Sequence, residues 1–349
     1  MNELRIGQKR IGEGYPCYII AEAGVNHNGD IRLAKRLITA AVKSGADAVK
    51  FQTYSTDAIV TKAAGKAAYQ KKTSGAAETQ YDMLKRLELS REAFRILSDY
   101  AKKKEIEFLS SPFDGQSADL LESIGINAYK IPSGEITNIP LLEQIGSYKK
   151  PVILSTGMAD INEIREGLRA VRRGGARDIV LLHCVTGYPV PLKFANLKMI
   201  QTLMKVFKVP VGFSDHTQGI IASILARALG ACVIEKHFTL DRSLPGPDHR
   251  ASLEPSELSE LVEQIRIAEA ALGNGEKIIA RDEAKIKQVA RKSLVAKVSI
   301  SKGTKISPDM IDLKRPGNGI PVKYLSRIIG KKTKVAVKED AVFQWDMLE

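Results

Sequence analysis

The sequence has no run of 18 or more apolar residues, so we expect no transmembrane helix. Cysteine is scarce. The three present, Cys17, Cys184 and Cys232, lack metal-type spacing and are typical of buried thiols in a reducing compartment. Residues 1–10 are polar and lack the apolar core of a secretory signal. These absences predict a cytoplasmic protein with no membrane partner.

Aromatic residues make up only 6% of the chain, and no motif of a nucleic-acid-binding fold is present. The formal net charge is nevertheless +13. Because a positive cleft raises the local concentration of anions, this excess favours a small substrate that carries phosphate and carboxylate groups. We therefore expect no nucleic-acid partner.

Eight short apolar runs recur along the 349 residues, and nearly every one ends in polar residues that can do chemistry. The runs are 18–22, 48–52, 108–111, 129–135, 152–156, 179–184, 211–216 and 232–237. Segments of helical periodicity separate them, as at residues 32–44 and 161–173. This alternation predicts an α/β fold, a (β/α)8 TIM barrel, whose active site lies at the C-terminal ends of its strands. A doubly wound sheet is the alternative, but the first turn, 23–29, lacks GxGxxG.

The pattern predicts a barrel domain at residues 1–275, a linker at 276–290 and a small, mostly β domain at 291–349. That last segment carries 13 lysines and arginines against 6 acidic residues, with short β-like runs at 293–298 and 334–337. It also holds Arg315, on a stiff turn from which an arginine could reach a neighbouring site.

A long insert at residues 55–89 follows the second run and has little core pattern. Long loops in compact domains are usually lids or binding loops. We interpret the insert as a flap over the site.

Two histidines end neighbouring runs: His216 ends the seventh and His237 the eighth. Adjacent strand ends of a barrel lie close enough to share a ligand, and two neutral imidazoles with waters form an open divalent metal site. The alternative is a pair of histidines hydrogen-bonded at the barrel rim. No third or fourth ligand has the spacing of a closed structural zinc site.

Two carboxylates lie at positions suited to acid–base catalysis or to sugar binding. Glu22 ends the first run, where burial would raise its pKa and suit it to general acid or base catalysis. Asp248 lies in a proline-rich loop, 245–250, and could bind a polyol hydroxyl. The structural alternatives are a salt bridge for Glu22 and a simple turn at Asp248.

Lysines beside amides and hydroxyls end the second, fourth and fifth runs. Such a set supplies the point charges and directional donors that a phosphate monoester requires. Its members are Lys50, Gln52, Lys130, Ser133, Ser155 and Thr156. A Schiff-base lysine is the rival interpretation, because a buried amine can lose its proton and attack a carbonyl. Lys130 and Lys236 are both placed for that role.

Several motifs, in chain order, resemble those of the sialic acid synthase (N-acetylneuraminate synthase) family. They are IAEAGVNHNG at 20–29, KIPSGE at 130–135, LSTGM at 154–158, FSDH at 213–216 and PGPDH at 245–249. A further motif, KRPGNG at 314–319, resembles that family's C-terminal antifreeze-like (SAF) domain. The resemblance implies a barrel enzyme that condenses phosphoenolpyruvate with an N-acylated amino sugar. It also implies a manganese or magnesium ion and a domain-swapped homodimer.

The resemblance implies roles for individual residues. His216 and His237 match the metal ligands, and Arg315 matches an arginine that one subunit offers to the sugar in the other's site. Glu22 and Asp248 match residues at the sugar and the reacting centre. The phosphoenolpyruvate pocket is matched by Lys50, Gln52, Ser111, Lys130, Ser133, Ser155 and Tyr188, of which Lys50 and Lys130 stabilise the reacting anion and Tyr188 also lies beside the sugar.

The identity of the sugar depends on regions that depart from the family pattern. Thr186 stands where some members carry asparagine, and residues 63–79 of the flap cannot be matched one by one. N-acetylmannosamine is the first expectation, giving N-acetylneuraminate and phosphate by C–O cleavage. The 2,4-diacetamido sugars of legionaminate and pseudaminate synthesis are the alternatives. A Schiff-base pyruvate aldolase and a non-enzymatic sugar-binding protein are more remote.

Overall fold

The computed structural model describes residues 3–67, 70–71 and 78–349. The chain divides into two compact units, Met1–Gly273 and Asn274–Glu349. The first unit begins with an antiparallel hairpin of β1 (Leu4–Ile6) and β2 (Lys9–Ile11). Across the described residues, no helix combines the length and apolar character needed to cross a membrane.

Eight parallel strands follow the hairpin and form a single sheet. They are β3 (Tyr18–Gly24), β4 (Ala48–Thr53), β5 (Glu107–Pro112), β6 (Tyr129–Ile131), β7 (Val152–Ser155), β8 (Ile179–Cys184), β9 (Val211–Asp215) and β10 (Val233–His237). Hydrogen bonds join them in the order β5-β4-β3-β10-β9-β8-β7-β6, and the end strands β5 and β6 also lie beside each other. The sheet is therefore a nearly closed barrel, which confirms the predicted fold and rules out the doubly wound alternative.

Helices pack on the outside of the barrel between the strands. In the described part of the first unit they are Ile31–Lys43, Arg91–Lys103, Gly115–Ile124, Ile139–Ser147, Ile161–Gly174, Met199–Phe207, Ile221–Ala228 and Pro255–Leu272. Two further helices, Thr56–Ile59 and Gln80–Leu87, belong to the insert after β4. Helical periodicity does not predict helix Ile139–Ser147. Asn138 caps it, and Pro140 stands in its first turn, where a missing N–H costs nothing.

Alternating side-chain direction explains which residues face the barrel interior. In β3, Ile19 packs outward with the helices, whereas Ile20 packs inside. The same period of two brings Glu22 inside at the C-terminal end of the strand. Leu4 and Ile6 of the hairpin join the inner cluster, so the hairpin covers the N-terminal end of the barrel, a feature that the polar composition of residues 1–10 concealed.

The insert between β4 and the helix Arg91–Lys103 is more ordered than its composition suggested. Helix Gln80–Leu87 begins with a capping box formed by Thr79 and Asp82. Its buried residues Met83 and Leu87 pack with Val25 and Tyr54 of the barrel. Part of the stretch 63–79, which could not be matched to the family, lies outside the described residues.

The second unit contains the exposed helix Arg281–Ala290, the helix Leu325–Ile328, and an antiparallel pair of strands, β11 (Ser293–Ala296) and β12 (Ile311–Lys314). The predicted run at 293–298 is thus largely a strand. The predicted strand at 334–337 is wrong, because only Val337 there forms a bridge, with Ile300. The hydrophobic core of the second unit consists of Leu294, Ala296, Ile300, Ile306, Ile320, Ile328, Val337, Phe343 and Leu348.

Candidate active site

A cavity of about 340 Å³ lies at the C-terminal ends of the barrel strands. It brings together eleven of the site residues predicted for the barrel. They are Glu22, Lys50, Gln52, Ser111, Lys130, Ser133, Ser155, Tyr188, His216, His237 and Asp248. Thr156 is turned away, and its hydroxyl donates to the carbonyl of Leu182 at 2.9 Å. Arg315 is exposed and belongs to the second unit.

Four buried side chains of alternating charge form a continuous network in this cavity. Nζ of Lys50 lies 2.7 Å from Oε2 of Glu22 and 3.8 Å from Oε2 of Glu235. Nζ of Lys130 lies 3.1 Å from Oε1 of Glu235. Buried charges are tolerated only when they are paired, and here each cation has an anion beside it.

The two carboxyl groups of this network differ in proton affinity. Burial raises the pKa of Glu22 to about 7, although Lys50 opposes the shift. Burial also disfavours the Glu235 anion, but Lys130 and Lys50 outweigh it and hold the pKa of Glu235 at about 2. Glu22 can therefore exchange a proton near neutral pH, whereas Glu235 remains ionised.

Hydroxyl groups surround the lysines. Lys50 donates to Oγ of Ser111 at 3.0 Å, and the backbone N–H of Gly157 donates to Oγ of Ser133 at 2.9 Å. Oγ of Ser155 is buried and has no hydrogen-bond partner within the described residues, so it is available to a ligand. A Cβ at position 157 would lie 2.7 Å from Oγ of Ser133, so only glycine permits this close approach.

The two histidines lie side by side, with ring centroids 5.5 Å apart. Nδ1 of His216 donates to the carbonyl of Val185 at 3.0 Å and lies 3.8 Å from Sγ of Cys184. Burial disfavours the charged ring, but Cys184 and the Val185 carbonyl outweigh it and raise the pKa of His216 above its usual value. Nδ1 of His237 is buried without a partner among the described residues, and burial holds the pKa of His237 well below its usual value. Two imidazoles in one cavity suit a divalent metal, which binds the neutral form of each ring. The described residues supply no cluster of three His, Cys, Asp or Glu, so water or substrate would complete the coordination.

Asp248 is held in place by hydrogen bonds around the next residue. Nδ1 of His249 contacts Oγ1 of Thr239 at 2.7 Å, and its Nε2 contacts Oδ1 of Asn28 at 3.2 Å. Gly246, at φ +154°, approaches this ring so closely that a Cβ would lie 2.6 Å from its Cδ2. Burial raises the pKa of Asp248 to about 6, with opposition from His216.

Lys236 does not line the cavity. Its Nζ pairs with Oδ2 of Asp215 at 3.0 Å, and its side chain is 1% exposed. The amine is therefore committed outside the site, and the suggestion that Lys236 forms a Schiff base is wrong. Lys130 does line the cavity, and burial lowers its pKa, with opposition from Glu235.

Glu235 and Ser214 are polar residues of the cavity that the sequence-based prediction did not include. Glu235 bridges Lys50 and Lys130, and Oγ of Ser214 donates to its Oε1 at 3.0 Å. The signal was available, because each stands two positions before a histidine at or just after the end of its strand. A period of two places both pairs on the same inner face.

Residues 37–277 match the model of the NeuB family, and residues 291–349 match that of the SAF domain. The N,N'-diacetyllegionaminic acid synthase of Legionella pneumophila is 48% identical over 98% of this chain and 98% of its own. The enzyme of the same name from Campylobacter jejuni is 50% identical over 93% of this chain and 98% of its own. A crystal structure of N-acetylneuraminic acid synthetase from Leptospira borgpetersenii superposes with a TM-score of 0.73, at 37% identity, covering 82% of this chain and 95% of that one.

Proposed function

This chain belongs to the NeuB family of nonulosonate synthases, and we propose that it condenses phosphoenolpyruvate with a 2,4-diacetamido hexose and water. The products would be a diacetamido nine-carbon 2-keto sugar acid and phosphate. The observation that carries this proposal is the placement of two buried lysines and several serine hydroxyls in one cavity with two imidazoles.

The choice of sugar rests on the degree of relatedness and on the cavity wall. The relatives named as diacetyllegionaminic acid synthases are 48% and 50% identical to this chain, against 37% for the neuraminic acid synthetase. Met83, Leu84, Leu87 and Phe113 give the cavity an apolar wall. Such a wall suits the methyl of a second acetamido group better than a hydroxyl of the same sugar position. N-acetylmannosamine, the first expectation from the sequence, is the second candidate.

The proposed reaction forms a C–C bond and a C–O bond to water, and it breaks the C–O bond to phosphate. C3 of phosphoenolpyruvate attacks the open-chain aldehyde of the sugar, and water adds at C2. The C2–O bond then breaks, and phosphate leaves with its bridging oxygen. Lys50 and Lys130 bind the anionic groups of phosphoenolpyruvate throughout, with Gln52, Ser111, Ser133 and Ser155 as hydrogen-bond donors around them.

Glu22 is proposed to take the proton of the water that adds at C2. Its pKa of about 7 allows it to be partly ionised at neutral pH and to hold the proton once it has accepted it. Tyr188 and Asp248 are proposed to bind the sugar, because both line the cavity on the side of the histidines. A manganese or magnesium ion held by His216 and His237 would supply Lewis-acid polarisation of the sugar aldehyde.

Arg315 is proposed to act from a second copy of the chain in a domain-swapped homodimer, where it would bind the sugar. Mixing Arg315→Ala protein with Glu22→Ala protein tests this, since a hybrid dimer would hold one site with both residues intact. Partial recovery of activity would support the shared site. No recovery, once mass spectrometry has verified subunit exchange, would contradict it.

Sugar-dependent phosphate release tests the proposed substrate. The protein is incubated with phosphoenolpyruvate, Mn²⁺ and, separately, N-acetylmannosamine or each 2,4-diacetamido hexose. We expect kcat/KM for one diacetamido sugar to exceed that for N-acetylmannosamine by about 10-fold or more, the scale of one well-fitted apolar group. A preference for N-acetylmannosamine would establish the second candidate instead.

A further inference from the structure

An ion pair outside the cavity joins the two strands that lead to the histidines. Asp215 is the last residue of β9 and directly precedes His216, and Lys236 directly precedes His237 on β10. Asp215 and Lys236 are partners in the parallel ladder, and Nζ of Lys236 lies 3.0 Å from Oδ2 of Asp215. Their side chains are 1% and 0% exposed, so the pair is completely buried.

The Asp215 carboxylate also holds the backbone that follows His216. Its Oδ1 accepts hydrogen bonds from the N–H and the hydroxyl of Thr217, both at 2.8 Å. Its Oδ2 accepts a hydrogen bond from Ser223 at 2.6 Å, and Lys236 donates to the carbonyl of Thr217. The backbone on both sides of His216 is thus tied to one carboxylate, while Val185 holds the imidazole ring.

The position of the pair on the barrel wall indicates a role beyond stability. One step earlier on the same outward face, the ladder partners are Phe213 and Ile234, which pack in the apolar layer between strands and helices. Apolar residues of similar volume generally stabilise such a site at least as well as a buried ion pair does. The charged pair replaces apolar residues at the ladder position next to the histidines. Its hydrogen bonds are directional and fix the backbone beside His216, which apolar contacts would not do.

We infer that the Lys236–Asp215 pair is a positioning element that sets the separation and orientation of His216 and His237. The inference rests on the proposed metal site, because it concerns the two imidazoles as a ligand pair. Groups that orient metal ligands from behind commonly contribute 10–100-fold to metal affinity. Neither residue touches the cavity, so their loss should weaken metal binding without removing a ligand.

Mn²⁺ binding by the full-length protein, followed by the electron paramagnetic resonance signal of free Mn²⁺, tests the inference. The main variant carries Lys236→Met and Asp215→Asn together, so that no unpaired charge stays buried. We expect its Kd for Mn²⁺ to rise about 10–100-fold. Its Kd for phosphoenolpyruvate in the absence of metal should change less than twofold, because the lysines and hydroxyls of that pocket are untouched.

A matched control carries Arg227→Met and Glu269→Gln. This pair is also largely buried, with 3.0 Å between the charged groups, but it lies beside Tyr15, towards the N-terminal end of the barrel. Removal of this control pair should leave the affinity for Mn²⁺ unchanged, even if it lowers the melting temperature as much as the main variant does. Thr217→Val is the milder variant, to be used if the main one does not fold, and should weaken Mn²⁺ binding about two- to tenfold through the lost hydrogen bond.

The outcomes separate this inference from the proposed function. Wild-type binding of Mn²⁺ that His237→Ala abolishes, together with weakened binding in the main variant, supports both. Wild-type binding that the main variant or Thr217→Val retains in full overturns the positioning role alone. Absence of Mn²⁺ binding by the wild-type protein overturns the metal site and the positioning role together.

Discussion

Glu22 and Lys50 are partners in the ladder between β3 and β4, and Oε2 of Glu22 lies 2.7 Å from Nζ of Lys50. The two side chains are 2% and 3% exposed, so their charges balance each other inside the protein. The same lysine lies among the hydroxyls that are proposed to bind phosphoenolpyruvate. Stability and substrate binding therefore depend on a shared group.

Lys50→Met should destabilise the barrel unit by about 3–5 kcal/mol, because it leaves buried carboxylates without their partner. Adding Glu22→Gln should restore much of that loss, since the uncharged amide needs no cation. Denaturant unfolding measures both effects, with Lys102→Met, on an exposed helical position, as the control. Both Lys50 variants should lose phosphate release. Equal stability of the single and double variants would contradict the coupling.

Asp248→Asn should change how stability depends on pH. The folded-state pKa of Asp248 is about 6, above its ordinary 3.8, so between about pH 4 and 6 the folded protein binds more protons than the unfolded chain. The contribution of Asp248 to the free energy of unfolding therefore falls as pH rises through this window. The variant lacks this titration, so the difference in its free energy of unfolding from that of the wild type should shift in its favour by about 2 kcal/mol from pH 4 to pH 6. Urea unfolding at a series of pH values checks this, and parallel curves would contradict it.

Borohydride treatment in the presence of pyruvate or phosphoenolpyruvate should trap no lysine adduct. Lys236 is committed to Asp215, and Glu22 and Glu235 raise the pKa of Lys50 against the effect of burial. Burial lowers the pKa of Lys130, but its ion pair with Glu235 opposes that shift and occupies the amine. Intact-protein mass spectrometry detects such an adduct directly. A reduced adduct on Lys130 would revive the aldolase alternative.

Ile11→Ala should destabilise the barrel unit by about 2–5 kcal/mol, the usual cost of truncating a buried aliphatic side chain. Ile11 is fully buried in the inner cluster, together with Leu4 and Ile6 of the hairpin. Arg10→Ala, at the neighbouring exposed position, is the control and should change stability little. Thermal or denaturant unfolding measures the difference. Equal stability of the two variants would mean that the hairpin does not contribute to the core.

The barrel and its site were predictable because the sequence repeats one simple pattern. Apolar runs of strand length end in polar residues, and parallel strands bring those ends together, as Glu22, Lys130 and His237 illustrate. The hairpin was missed because its strands have only three residues each, too few for a period to be recognised.

The sequence did not predict which charged residues of the site form ion pairs with each other. Lys130 and Lys236 both follow the same strand-end rule, yet one enters the cavity and the other pairs with Asp215 behind it. The difference lies in a single position of strand register, which reverses the face on which a side chain lies. Glu235 was not predicted as a site residue, although it lies two positions before His237 on β10 and so faces the same side of the sheet.

Phosphate released in H₂¹⁸O tests the central claim, condensation of phosphoenolpyruvate by C–O cleavage, most directly. The protein is incubated in labelled water with phosphoenolpyruvate, Mn²⁺ and a 2,4-diacetamido hexose, and the phosphate is analysed by ³¹P nuclear magnetic resonance. Because the bridging oxygen leaves with phosphorus, we predict sugar-dependent release of unlabelled phosphate, absent in His237→Ala protein. Phosphate that carries ¹⁸O, or release that does not depend on any sugar, would contradict the account.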